Sequence, residues 1–139
     1  MGYSHDWSLG HLIEYSDAPL SNRKECIESM AILFERIFVA EPLDTSVHMW
    51  WDVLCYSWHC GNRNRERGGE DLELQDIYFQ TLAKVLAIDS WICQGAALHG
   101  LGHLHHPETA NLIGRYQRAS LIDKRTARLS EAAARFEVL

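Results

Sequence analysis

Four of the chain's eight histidines fall within positions 99–106, in the stretch ALHGLGHLHH that spans residues 97–106. On a helix, His99 and His103 are four apart and share a face, the spacing two imidazoles need to hold one metal ion. His106 could reach the same place from the turn that follows. No carboxylate stands between them in the His-Glu-x-x-His manner, so the zinc-protease arrangement is absent. A second set lies upstream in helical register: His48, Asp52, Cys55 and His59, at i, i+4, i+7 and i+11, form the one polar stripe on an otherwise apolar cylinder. Imidazole, carboxylate and thiolate are the usual transition-metal ligands. The two stripes reinforce each other only if their helices face each other. Polar residues at such spacings more often face solvent, a turn or a hydrogen-bond partner than a metal, so the sequence favours bystander histidines. No metal and no cofactor is expected.

Other chemistry finds less support. Ser57, Ser90 and Ser120 lack a Gly-x-Ser-x-Gly setting, and Gly100-Leu101-Gly102 lies inside a helix instead of following a strand, so it is no dinucleotide fingerprint. Arg63, Arg65 and Arg67 alternate in a glycine-rich segment where Glu66, Glu70 and Asp71 neutralise them locally. Arg115 and Arg118, with Lys124, Arg125 and Arg128, make a small basic patch. Adjacent Trp50 and Trp51 project about 100° apart on a helix, so either one left exposed would mark an interface.

The elements that must position these residues are helical throughout. Ile27, Met30, Phe34, Ile37 and Phe38 recur at helical spacing after Ser21, a candidate N-cap, and Pro42 stops that helix near Glu41. Asp44 or Thr45 caps the next, which runs to Cys60 and ends at Gly61. Val47, Trp50, Trp51, Leu54 and Trp58 form its face, and Met49, Val53, Tyr56 and Cys60 extend that face nearly all round, which predicts a central helix. Residues 61–71, GNRNRERGGED, read as one long flexible loop. Helical periodicity returns from Leu72 to Ala87, from an Asp89 or Ser90 cap to Leu104, from Thr109 to Ala119 and from Asp123 to about Glu137, with a short element near Leu9–Tyr15. No period-two alternation occurs, so the fold class is all-α.

The 139 residues suit one domain spanning 1–139. Four cysteines in apolar stretches imply a reducing compartment. With neither a leader pattern nor a membrane-length apolar run, the chain reads as cytoplasmic. The net charge of −6 is uneven: residues 1–60 carry nine acids against three bases, residues 111–139 three against six. An acidic front argues against nucleic-acid binding and suits a basic protein partner.

Residues 90–119 resemble one HEAT-like repeat of armadillo-type helical solenoids. Ala96, Ala97, Leu101, Gly102, Leu104 and Pro107 stand at the positions of an Ala-rich helix, its small-residue end and the turn, and Leu112 and Ile113 supply the second helix's inner face. The resemblance implies a short solenoid of antiparallel hairpins, with a compact bundle of five to six helices as the other arrangement. It also implies that Gly100 and Gly102 bring two antiparallel helices close, with the histidines on the outer side or in the turn. The function expected is a non-enzymatic protein-interaction module, with Trp50, Trp51, Arg115 and Arg118 as contacts. A metal-binding protein or metal-dependent hydrolase using the histidines is the alternative.

Overall fold

The computed structural model describes residues 9–15, 17–41, 44–119 and 124–138. They form eight α-helices: α1 (Leu9–Tyr15), α2 (Leu20–Leu33), α3 (Asp44–His48), α4 (Asp52–His59), α5 (Gly69–Leu86), α6 (Trp91–Leu104), α7 (Thr109–Ala119) and α8 (Lys124–Ala134). No strand occurs among the described residues, so the fold is all-α. No described helix is long and apolar enough to cross a membrane.

The centre is α6, not the tryptophan-rich α4. Cys93 and every residue from Ala96 to Leu104 are buried, because α3, α4, α5 and α8 all pack on α6. The Ser90 side chain caps its start by accepting from the Cys93 N–H at 3.4 Å. At the other end, Gln75 Nε2 donates to Leu104 O at 2.9 Å, satisfying one of the carbonyls a helix end leaves open. His105 then takes the left-handed conformation (φ 57°) that glycine more often supplies at this position. The turn at 87–90 folds α6 back along α5. α7 packs chiefly on α8 and not on α6, which it reaches through a side-chain hydrogen bond, Tyr116 Oη donating to Gln94 Oε1 at 3.0 Å.

Gly100 and Gly102 do bring neighbours close, but the neighbours are not α7. A Cβ on Gly100 would lie 2.7 Å from Trp51 Cβ and 2.9 Å from Leu82 Cδ2; one on Gly102 would lie 2.3 Å from Val138 Cγ2. The glycines are notches that admit an indole on one side and the C-terminal segment on the other.

The Trp51 notch explains why the expected 45–60 helix is interrupted. Trp51 sits at φ −85°, ψ −9°, in the turn region, between α3 and α4. Its indole is completely buried and stacks on Phe34 at 5.5 Å between centroids. Burying so large a side chain stabilises by roughly 2–3 kcal/mol, more than a single turn of regular helix contributes. Trp50 is half-buried against Phe34 and Phe38. Neither indole is the exposed contact that the sequence made them candidates for.

Other boundaries shift for local reasons. The helix begins at Leu20, after Pro19, with no side-chain cap, so Ser21 lies inside it. It passes into a π-helical turn at Phe34–Phe38, which buries both phenylalanines; Pro42 lies outside the described residues. The 61–71 segment contains a 3-10 turn, Arg65–Arg67, capped by the Asn64 side chain, and it yields its last three residues to α5. Its arginines hold the fold together. Arg63 donates to Asp71 Oδ1 at 2.9 Å and to the Glu14 carbonyl at 2.8 Å. Arg23 bridges Glu70 and the carbonyls of Ile13 and Ala18. The Arg23 hydrogen bond, foremost, holds the Glu70 carboxyl below its ordinary range.

Candidate metal centre

The α4 polar stripe faces inward. Val53 and Tyr56, which the sequence assigned to the apolar face, are 65% and 50% exposed, while Asp52 turns toward α6. Because α3 and α4 run beside α6 in the same direction, the stripes meet in register: His48 against His99, Asp52 against His99 and His103, His59 against His103 and His105. The i, i+4 spacing on both helices makes this alignment possible.

Three atoms converge. Asp52 Oδ1 lies 2.6 Å from His99 Nε2 and 3.4 Å from His103 Nε2, and the two nitrogens are 3.2 Å apart. Asp52 Oδ1 is buried and, although it lies within ion-pair distance of His99 Nε2, it has no hydrogen-bond partner. For ligand bonds of about 2.1 Å, the separations correspond to ligand–cation–ligand angles of roughly 75°, 100° and 110°. A cation equidistant from the three would sit about 1 Å out of their plane, bound on one face and open on the other. His99 and His103 are buried; the Asp52 side chain, 25% exposed, is the solvent edge of the site. Burial, foremost, pushes the His103 pKa down, with neighbouring His99 adding to it and Asp52 opposing. That keeps the ring neutral, the form that binds metals.

The expectation of outward or turn-facing histidines therefore fails for His99 and His103. An outward position requires a solvent face, and α6 has none from Ala96 to Leu104. His106 is buried too, but elsewhere. Its ring stacks on Phe79 at 3.9 Å, its Nδ1 accepts from the Glu108 N–H at 3.1 Å, and its Nε2 lies 2.9 Å from Asp76 Oδ1. With Nδ1 accepting, Nε2 carries the proton and donates to Asp76, so His106 ties the 105–108 turn to α5 and is no ligand here.

His48 and His59 flank the triad, with ring centroids 4.9 Å from His99 and 4.8 Å from His103 respectively. Cys55, the stripe's remaining member, points elsewhere. Burial raises its thiol pKa well above the ordinary value, with Glu14 and Asp52 adding to the effect, so no thiolate is offered. Sequence spacing missed His105, whose Nε2 lies 3.0 Å from His59 Nδ1. The contact joins residues 46 positions apart and depends on a left-handed backbone, neither of which is visible in a helical register. Arg115 and Arg118 are exposed on α7, away from this cluster.

Comparison of the chain with protein-family models, with curated proteins and with solved structures finds no match in any of the three.

Proposed function

We propose that the protein binds a divalent transition cation through Asp52 Oδ1, His99 Nε2 and His103 Nε2, leaving one coordination face open. The single observation that carries this reading is the buried convergence of one carboxylate and two imidazoles on a common point, with the carboxylate oxygen lacking any hydrogen bond. An unpartnered buried acceptor costs about 1–3 kcal/mol, and a cation removes that cost. Two imidazoles and a carboxylate suit iron(II), zinc or manganese. The open face is where a water or a substrate oxygen binds, polarised by the ion.

The test is metal analysis of untagged protein purified without chelator, followed by calorimetric titration of the metal-free chain. The wild type is expected to hold one equivalent more than Asp52→Asn or His99→Ala. Failure of the wild type to retain or take up zinc, iron(II) or manganese would refute the reading.

A second reading, a HEAT-like protein-interaction module, draws on a different face. Ile32, 53% exposed, lines a cleft with Glu28, Glu35 and Asp89 between α2 and the α5–α6 turn, and Trp91, 67% exposed, opens α6 two residues after Asp89. An aromatic and an aliphatic side chain beside acidic residues suit a basic, amphipathic partner segment. Trp91→Ala would then abolish a complex seen by gel filtration while leaving metal content unchanged.

A further inference from the structure

We infer that the protein holds a second divalent cation, chelated by His59 Nδ1 and His105 Nε2. This extends the metal-binding reading to another ion and uses none of its three ligands. Five imidazoles stand in a row, His48, His99, His103, His59 and His105, with successive ring centroids 4.9, 4.8, 4.8 and 4.9 Å apart. Asp52 serves only the middle of the row. At its end, His59 Nδ1 and His105 Nε2 are hydrogen-bonded at 3.0 Å, one ring donating and the other accepting, and a cation would take the place of the shared proton. A cation about 2.1 Å from both nitrogens subtends roughly 90°, the angle of neighbouring positions in square-planar or octahedral coordination. Two imidazoles without a carboxylate suit zinc, copper(II) or nickel(II), with water filling the remaining positions.

Both rings are held in place from behind. Tyr56 stacks on His59 at 5.5 Å, and Phe136 stacks on His105 at 4.4 Å with planes 13° apart. His105 and Phe136 are the two non-glycine residues of left-handed backbone among those described, at φ 57° and φ 58°. That conformation is strained for a residue with a Cβ and is kept only where the surroundings enforce it. Here both occurrences meet in one stacking contact, which fixes Nε2 of His105 toward His59. A ligand held this way loses little freedom when the ion arrives. His105 also lines a surface cleft with Trp58, Gln75 and Pro107, which gives the ion access and room for water. Arg63 and Arg65 border that cleft, but their charge is balanced by Asp71 and Asp76.

The test is equilibrium dialysis of the full chain against zinc, counting bound metal per chain and checking the fold by circular dichroism. His105→Asn removes the imidazole at a position where asparagine tolerates left-handed backbone; His59→Gln removes the other ligand. Two equivalents are expected for the wild type, and one for each of these variants and for Asp52→Asn. One equivalent in the wild type, retained by both histidine variants and lost in Asp52→Asn, overturns the second site and leaves the first standing. One equivalent that survives Asp52→Asn but not the histidine variants does the reverse. No bound zinc in any protein overturns the second site and leaves the first to stand only if iron(II) or manganese is taken up.

Discussion

Gly100→Ala is the perturbation that links the packing to the site most directly. In an ordinary helix interior this change stabilises, by about 0.5–1 kcal/mol, because alanine loses less backbone entropy on folding. Here the added Cβ would meet Trp51 Cβ at 2.7 Å, Trp51 Cγ at 2.9 Å and Leu82 Cδ2 at 2.9 Å. Normal carbon contacts lie near 3.5–4.0 Å, so the Trp51 backbone must retreat by roughly 1 Å. Overpacking of this kind costs about 1–3 kcal/mol, which exceeds the propensity gain and leaves a net loss of about 1 kcal/mol. Trp51 is bonded to Asp52, so the same retreat withdraws the carboxylate from His99 and His103. Metal geometry tolerates about 0.2 Å, so affinity falls about tenfold or more. Gly95→Ala is the control. It lies on the same helix, and its Cβ would find nothing closer than 3.9 Å, so the ordinary stabilisation is expected. Urea denaturation gives the stabilities and zinc calorimetry the affinities. Gly100→Ala matching Gly95→Ala in stability, with wild-type zinc affinity, would refute the notch and its coupling to the site.

Three further outcomes follow from other contacts. Gly102→Ala drives a Cβ to 2.3 Å from Val138 Cγ2, so it destabilises by about 1–3 kcal/mol, and Val138→Ala added to it restores part of the loss; a double-mutant cycle with no coupling would contradict the contact. Glu70 has a folded-state pKa below its unfolded one, near 4.3, so its contribution is whole above that value and disappears as pH drops through the folded value. Accordingly, thermal melts between pH 3 and 6 should show a shallower acid loss for Glu70→Gln than for the wild type. Cys60 is exposed, whereas Cys55 is buried with its thiol pKa raised, so maleimide at neutral pH should label Cys60 and spare Cys55 until denaturant is added, as peptide mapping will show.

Bound zinc should also raise stability by mass action, by about 2.7 kcal/mol at a hundred times its dissociation constant. Asp52→Asn should reduce that increment to whatever an ion at His59 and His105 supplies. A melting temperature unmoved by zinc in the wild type would count against the site.

Much of the helical content was legible from periodicity. Ser90 caps α6 as expected, because an N-cap needs only the local chain. The 45–60 segment shows where such reasoning stops. Its apolar residues outnumber its polar ones, so the pattern places His48, Asp52 and His59 on the solvent side; the opposite holds because α6 presents two imidazoles to that face and leaves Val53 and Tyr56 to water. Hydrophobicity orients a helix only when the surface it meets is apolar.

The sequence by itself determined an all-helical chain, the i, i+4 spacing of His99 with His103 and of His48 with Asp52, and the small residues that leave α6 open to close neighbours. Those are local properties, set by periodicity within one element. Only the tertiary structure decided that the two polar stripes oppose each other, that His106 turns away toward Asp76, and that His105 reaches His59 across 46 residues. Each depends on how α4 and α5 sit against α6, and that is fixed by an indole seated over a missing Cβ, a contact no single helix encodes.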